Sequence, residues 1–214
     1  MRPTHLAIAT ALVLSLCAVH RVSAQAFGLP VNNSGVPTGL GLYADVAFPN
    51  GAAGDGTTFA ASGRLGISKI GITATIASFN PSGPDNTLTS IGGSFNYKLL
   101  GGPLIPFSAT FQSGIAYASS SGASFWHLPI GVGFAITIPN PALAIKPWIA
   151  PRIDLTHSPS PAGWDSNFGF STGVELNLLS GLGFQASYDR VFVTGSDPGI
   201  FAVGAHYGLR IPGL

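Results

Sequence analysis

The stretch Phe59–Ile76, FAASGRLGISKIGITATI, decides the fold. Phe59, Ala61, Leu65 and Ile67 alternate with Ala60, Ser62 and Arg64, the period-two pattern of a strand with one apolar and one mixed face. Ser68 and Lys69 alone separate this run from a second, Ile70–Ile76, and two such runs joined by two residues form a tight hairpin. The same alternation recurs on either side. Gly39–Phe48 sets Leu40, Leu42, Ala44, Val46 and Phe48 on one face, with Tyr43 and Asp45 on the other. It continues through Ile91–Leu99, Phe107–Tyr117, Trp126–Ile138, Ile145–Leu155, Phe168–Leu178, Leu182–Phe192 and Phe201–Ile211.

Composition says what covers the apolar faces. Charged residues make up 8% of the 214 residues, against roughly 25% in ordinary soluble domains. Mean hydropathy is positive, which also excludes a disordered chain. The net charge of +1 offers no basic run to track a nucleic-acid backbone. Beyond residue 25 no apolar run is long enough for a spanning helix, so a chain bathed in lipid must cross it with strands closed into a barrel. The expectation is an all-β, antiparallel, up-and-down transmembrane barrel of about ten strands, with eight as the alternative. A soluble secreted β-sandwich, which also alternates, is the rival architecture.

The first residues read as an export signal. Arg2 is a positive start, Leu6–Val19 an apolar run too short to span, and Val22-Ser23-Ala24 a small-residue cleavage site before Gln25. Cys17 lies inside it and Leu16 is a poor neighbour for lipoprotein acylation, so the exported chain would carry no thiol or disulfide. The division is a signal peptide over 1–24, an irregular periplasmic lead-in over 25–38 marked by Pro30, Asn32, Asn33, Gly35 and Pro37, and the barrel over 39–214. An even strand count leaves both termini on the periplasmic side. The connections Pro49–Thr57, Asn80–Asn86, Ser119–Ser124, His157–Asp165 and Gly195–Gly199 then fall outside.

The charges test this assignment independently. Nine charged strand residues, Asp45, Arg64, Lys98, Lys146, Arg152, Asp154, Glu175, Asp189 and Arg210, take the face opposite the large apolar side chains. Chance would achieve that about once in a hundred trials, given strict alternation. Arg190 alone breaks phase, near a strand end where an arginine costs little. The pattern predicts a polar lumen network of these nine residues with His206, and further inward side chains at Tyr43, Gln112, His127, Trp148 and Gln185. Aromatic residues Phe48, Tyr97, Tyr117, Trp126, Trp164, Tyr188 and Tyr207 fall near strand ends, where interfacial belts form.

With its signal-like start and alternating mature segments, the chain resembles the small bacterial outer-membrane β-barrels of the OmpA-like and OmpX-like group. That resemblance implies the outer membrane as location, its lipid and the barrel assembly machinery as partners, and no cofactor. Gly204, Tyr207 and Leu209 are spaced like the group's closing signal, but the chain ends Ile211-Pro212-Gly213-Leu214 rather than on an aromatic residue.

No motif specifies catalysis. Asp154, His157, Ser158, Ser160 and Asp165 could place a histidine beside carboxylates at a hairpin mouth, yet Pro159, Pro161 and three serines are ordinary loop chemistry. The resembling group includes lipid A deacylases with a His-x-Ser pair, which this sequence lacks, and omptin-type proteases. Asp55 among glycines reads as a flexible loop. His127, His157 and His206 show no metal-ligand spacing. The expected role is non-enzymatic: structural support, or restricted small-solute passage through a narrow polar interior. The alternatives are a surface-binding or adhesion barrel and a hydrolase using His157 with Asp154 or Asp165.

Overall fold

The computed structural model describes residues 27–83, 87–102, 105–120, 123–140, 142–159 and 162–209. The expected signal peptide, Arg210 and the last four residues lie outside them. Ten strands run in chain order: β1 Gly39–Pro49, β2 Gly56–Ile67, β3 Ile70–Pro81, β4 Leu88–Gly102, β5 Ile105–Ser120, β6 Ala123–Ile136, β7 Leu143–Pro159, β8 Ala162–Leu178, β9 Leu182–Phe192 and β10 Gly199–Leu209. Ile138–Pro139 prolongs β6 along β7.

Every strand pairs antiparallel with the next, and β1 returns to β10 from Leu40↔Leu209 to Pro49↔Ile200. The sheet therefore has no free edge along those strands, and its order is the expected ten-stranded meander. It has a single closed wall, so both the eight-stranded count and the β-sandwich are superseded. Hairpin β2–β3 keeps an unbroken register from Gly56↔Pro81 to Ile67↔Ile70, across a two-residue turn in which Ser68 takes φ 55°.

Two proposed outer connections prove mostly strand. Pairing of β7 with β8 runs on to Pro159↔Ala162, and that of β5 with β6 to Ser120↔Ala123. Backbone hydrogen bonding in an antiparallel ladder does not depend on side-chain polarity, so polar Ser, His and Asp residues there continue the sheet past the apolar band.

The wall is inverted relative to a soluble protein. Leu42, Phe59, Ile72, Ile76, Ile91, Ile130 and Ile153 all present about half their surface outward. The buried side carries Asp45, Arg64, Gln112, Arg152, Asp154, Glu175 and Asp189, with alanine at many of the positions between. Aromatic rings mark both ends of the apolar band. Trp126, Trp164, Tyr117 and Phe48 are near one end and Tyr97 and Tyr207 near the other, the placement amphipathic rings favour at a lipid boundary. Arg190, the residue out of phase, turns outward to Asp197 and lies 5.4 Å from the Phe192 ring centroid.

An outward apolar side chain midway along a strand should be intolerant of charge. Ile130→Arg is expected to lower the unfolding free energy in lipid vesicles by about 2–4 kcal/mol, read from urea unfolding followed by tryptophan fluorescence.

Candidate functional site

The lumen is polar because parity makes it so, and the register then decides which polar groups meet. Arg152 and Asp154 are two residues apart on β7 and share its inner face. Ser171 of β8 stands directly opposite Asp189 of β9. Arg152 therefore reaches across β8 to Asp189: Nη2 donates to Oδ2 at 2.7 Å and Nη1 to Oδ1 at 3.0 Å. The same guanidinium donates through Nε to Asp154 Oδ1 at 2.9 Å and through Nη1 to Ser171 Oγ at 3.0 Å. His127 of β6 closes the group at 2.6 Å from Asp154 Oδ1. Burying charges this deeply is costly unless each is matched, and here one cation is forked between two carboxylates.

A second cluster lies toward the chain-terminal end of the lumen. Tyr43 of β1 faces His206 of β10 in register, with their rings stacked at 4.6 Å. Arg64 sits 3.7 Å over the Tyr43 ring, a cation–π contact that supplements its burial. Gln185 donates to Asp45, and His206 Nε2 lies 2.9 Å from Asn177 Oδ1 and 3.8 Å from Glu175. Lys146 is half-buried and in register with Glu175, and Lys98 is half-buried on the inner face of β4. Of the ten residues in the predicted network, nine can be placed, all on the lumen side, and Arg210 lies outside the described residues.

What the sequence reading placed elsewhere is the filling. The segment 27–38 is irregular as expected, but it lies inside the barrel rather than in the periplasm: Leu29, Val31, Asn32, Asn33, Ser34 and Val36 are all buried. It enters where the loops are. Phe27 N donates to Ser90 Oγ at 2.8 Å, and Leu29 packs against Ala47, Ala53, Ala77, Ile200 and Ala202. It leaves at the opposite end, where the Pro37 carbonyl lies against Gly66, before Gly39 opens β1.

Between these ends the lumen side chains take up its backbone. Val31 N donates to Asp189 Oδ1 at 3.1 Å and Asn32 N to Ser171 Oγ at 3.2 Å. Asn33 N donates to Gln112 Oε1 at 3.3 Å while Gln112 Nε2 donates to the Asn33 carbonyl at 3.0 Å. Ser34 Oγ donates to Glu175 and accepts from Lys146 Nζ at 3.4 Å. A buried backbone group needs a partner, and four strands, β4, β5, β8 and β9, supply them. Beside the segment remains a cavity of about 30 Å3 between Asn32, Asp45, Arg64, Trp148 and Gln185, room for about one water.

Sequence reasoning missed Ser34, Ser171 and the occupied lumen. The available signal was that residues 27–38 carry no charge and hold Leu29, Val31 and Val36 among their turn residues.

The candidate hydrolytic group falls on both sides of the wall. Asp154 points inward to Arg152 and His127. His157, of opposite parity, donates from Nδ1 to the Gly163 carbonyl at 2.8 Å and lies 5.2 Å from the Trp164 ring. Asp165 is in register with inward Thr156. Among the described residues no group of three or more His, Cys, Asp or Glu is arranged to hold a metal.

No family model matches the chain, and no curated protein does either. Solved structures similar to it are outer-membrane barrels. They include the outer membrane enzyme PagL, at 12% identity and TM-score 0.42, covering 79% of this chain and 99% of that one. The KdgM porin in complex with oligogalacturonate matches at 9% and 0.40, with coverage of 79% and 99%. The outer membrane protease OmpT of Escherichia coli matches at 10% and 0.39, covering 80% and 94%. They comprise enzymes and a porin.

Removing the central cation tests the cluster. Arg152→Ala removes the guanidinium that Asp154 and Asp189 share, and is expected to cost about 3–5 kcal/mol of stability, measured as a lowered urea midpoint of the barrel in detergent.

Proposed function

We propose that this protein is an outer-membrane barrel that restricts the passage of small solutes through a polar lumen, held shut at rest by its own residues 27–38. The location follows from the outward apolar wall bounded by aromatic rings, which water would not cover without cost. Its surroundings are outer-membrane lipid, reached through export and the barrel assembly machinery. The role is not enzymatic. Arg152 is bonded to Asp154, Ser171 and Asp189, and Ser171 and Asp189 are bonded in turn to the segment that lies over them.

The observation that carries the reading is how the lumen is filled. A barrel serving as support alone can be packed by its own strand side chains. Here the filler is a separable stretch of chain, held mainly by hydrogen bonds between its backbone and lumen side chains. Moving it would expose a path lined by both signs of charge, which select solutes by size and charge together. The connections between strands are short, which favours passage over adhesion.

The test is conductance in planar bilayers. Wild-type protein is expected to remain closed. Gly35→Val combined with Gln112→Ala, which unseats the segment through two substitutions outside the Arg152 cluster, is expected to give discrete openings that rise in frequency at least about tenfold. A folded, heat-modifiable double variant as silent as wild type would remove the passage reading.

A further inference from the structure

The lumen treats residues 27–38 as it would treat a bound peptide. Most of the contacts read the main chain: the amides of Phe27, Val31, Asn32 and Asn33 and the carbonyl of Asn33 are taken up by Ser90, Asp189, Ser171 and Gln112. Gln112 alone makes a two-point pairing with one residue's backbone, as a neighbouring strand would. The Ser34 side chain bonds the strands, and Leu29 is seated in an apolar cluster of the wall with Phe27 packed against it.

Shape adds selectivity to this backbone recognition. Gly28 and Gly35, seven residues apart, have φ +79° and +108°, a region side chains rarely adopt. A Cβ at Gly28 would collide with the Thr58 hydroxyl, and one at Gly35 would come within 2.9 Å of Thr110 Oγ1. The lumen thus accepts an uncharged, irregular chain with glycine at two fixed places, an apolar side chain just after the first, and a serine just before the second.

We propose that the barrel lumen is a binding site for an uncharged, irregularly folded peptide of this glycine spacing, that residues 27–38 are its resident ligand, and that it binds such a peptide in trans once the resident segment is displaced. This deepens the gated reading above, since the occupant that closes the path becomes exchangeable. A tethered segment competes at an effective concentration of about a millimolar, so a free peptide enters only when the tether is cut or the resident segment is weakened.

The probe is the synthetic peptide FGLPVNNSGVPT, residues 27–38, with a fluorophore on an added N-terminal linker. The protein is the full chain in detergent micelles, in two forms: one with a protease site built at exposed Thr38 and cut after folding, and one left uncut with Gly35→Val. Fluorescence anisotropy is expected to show saturable binding to both forms, displacement by unlabelled peptide, and little binding to the uncut wild-type chain. A peptide carrying Gly35→Val is expected to bind the cut protein roughly tenfold or more weakly. Absence of saturable binding to either folded form overturns the proposal, as does equal affinity for the Gly35→Val peptide. Binding is read without any current, so a protein that takes the peptide but stays silent in bilayers removes the passage reading and leaves the peptide site standing.

Discussion

A strand lying in hydrocarbon can satisfy its backbone only on its neighbours, and the closing ladder between β1 and β10 is where this chain meets that requirement. Ten register pairs from Leu40↔Leu209 to Pro49↔Ile200 turn what would be two bare edges into one more interior seam. Once the wall is closed, alternation sorts every side chain to one of two environments. Ile72, Ile76 and Ile130 have nowhere to go but out, and Arg64, Asp154 and Asp189 nowhere but in.

Closure also creates a difficulty. The enclosed polar groups are cut off from bulk water, and each must find a partner or remain a penalty. The strands solve part of this among themselves, with Arg152 forked between Asp154 and Asp189 and Arg64 laid over Tyr43. A further part is met by residues 27–38, whose free amides, with the Asn33 carbonyl, are what an array of buried acceptors and donors calls for. Asp189 illustrates the coupling: its Oδ1 accepts from Arg152, Ser171 and the backbone of Val31. The electrostatic cluster and the segment that closes the lumen are thus one hydrogen-bonded unit.

This organisation bears on chemistry as well as on passage. A carboxylate–histidine–serine inventory exists in the lumen, since His127, Asp154 and Ser171 all belong to the Arg152 cluster. Ser171, however, donates to Asp189 and not to the histidine, and accepts from Arg152 and the Asn32 amide. Its hydroxyl is spent on holding structure. The sequence drew attention instead to Asp154 and His157, three residues apart, and odd spacing along a strand is what sends such a pair to opposite faces.

The sequence by itself determined the wall. Strand positions, the inward phase of Asp45 through Asp189, the outward exception Arg190 and the β2–β3 turn at Ser68-Lys69 all follow from local alternation and turn chemistry, because facing direction is fixed residue by residue. The tertiary structure alone decided what meets what. That Arg152 reaches Asp189 depends on the register of three strands, which local pattern does not encode. That Phe27–Thr38 fills the lumen depends on the diameter of the closed sheet and on unsatisfied groups pooled from five strands. A stretch rich in proline, asparagine and glycine announces that it is not a strand, but only the enclosed space, with its surplus of donors and acceptors, determines that it lies within.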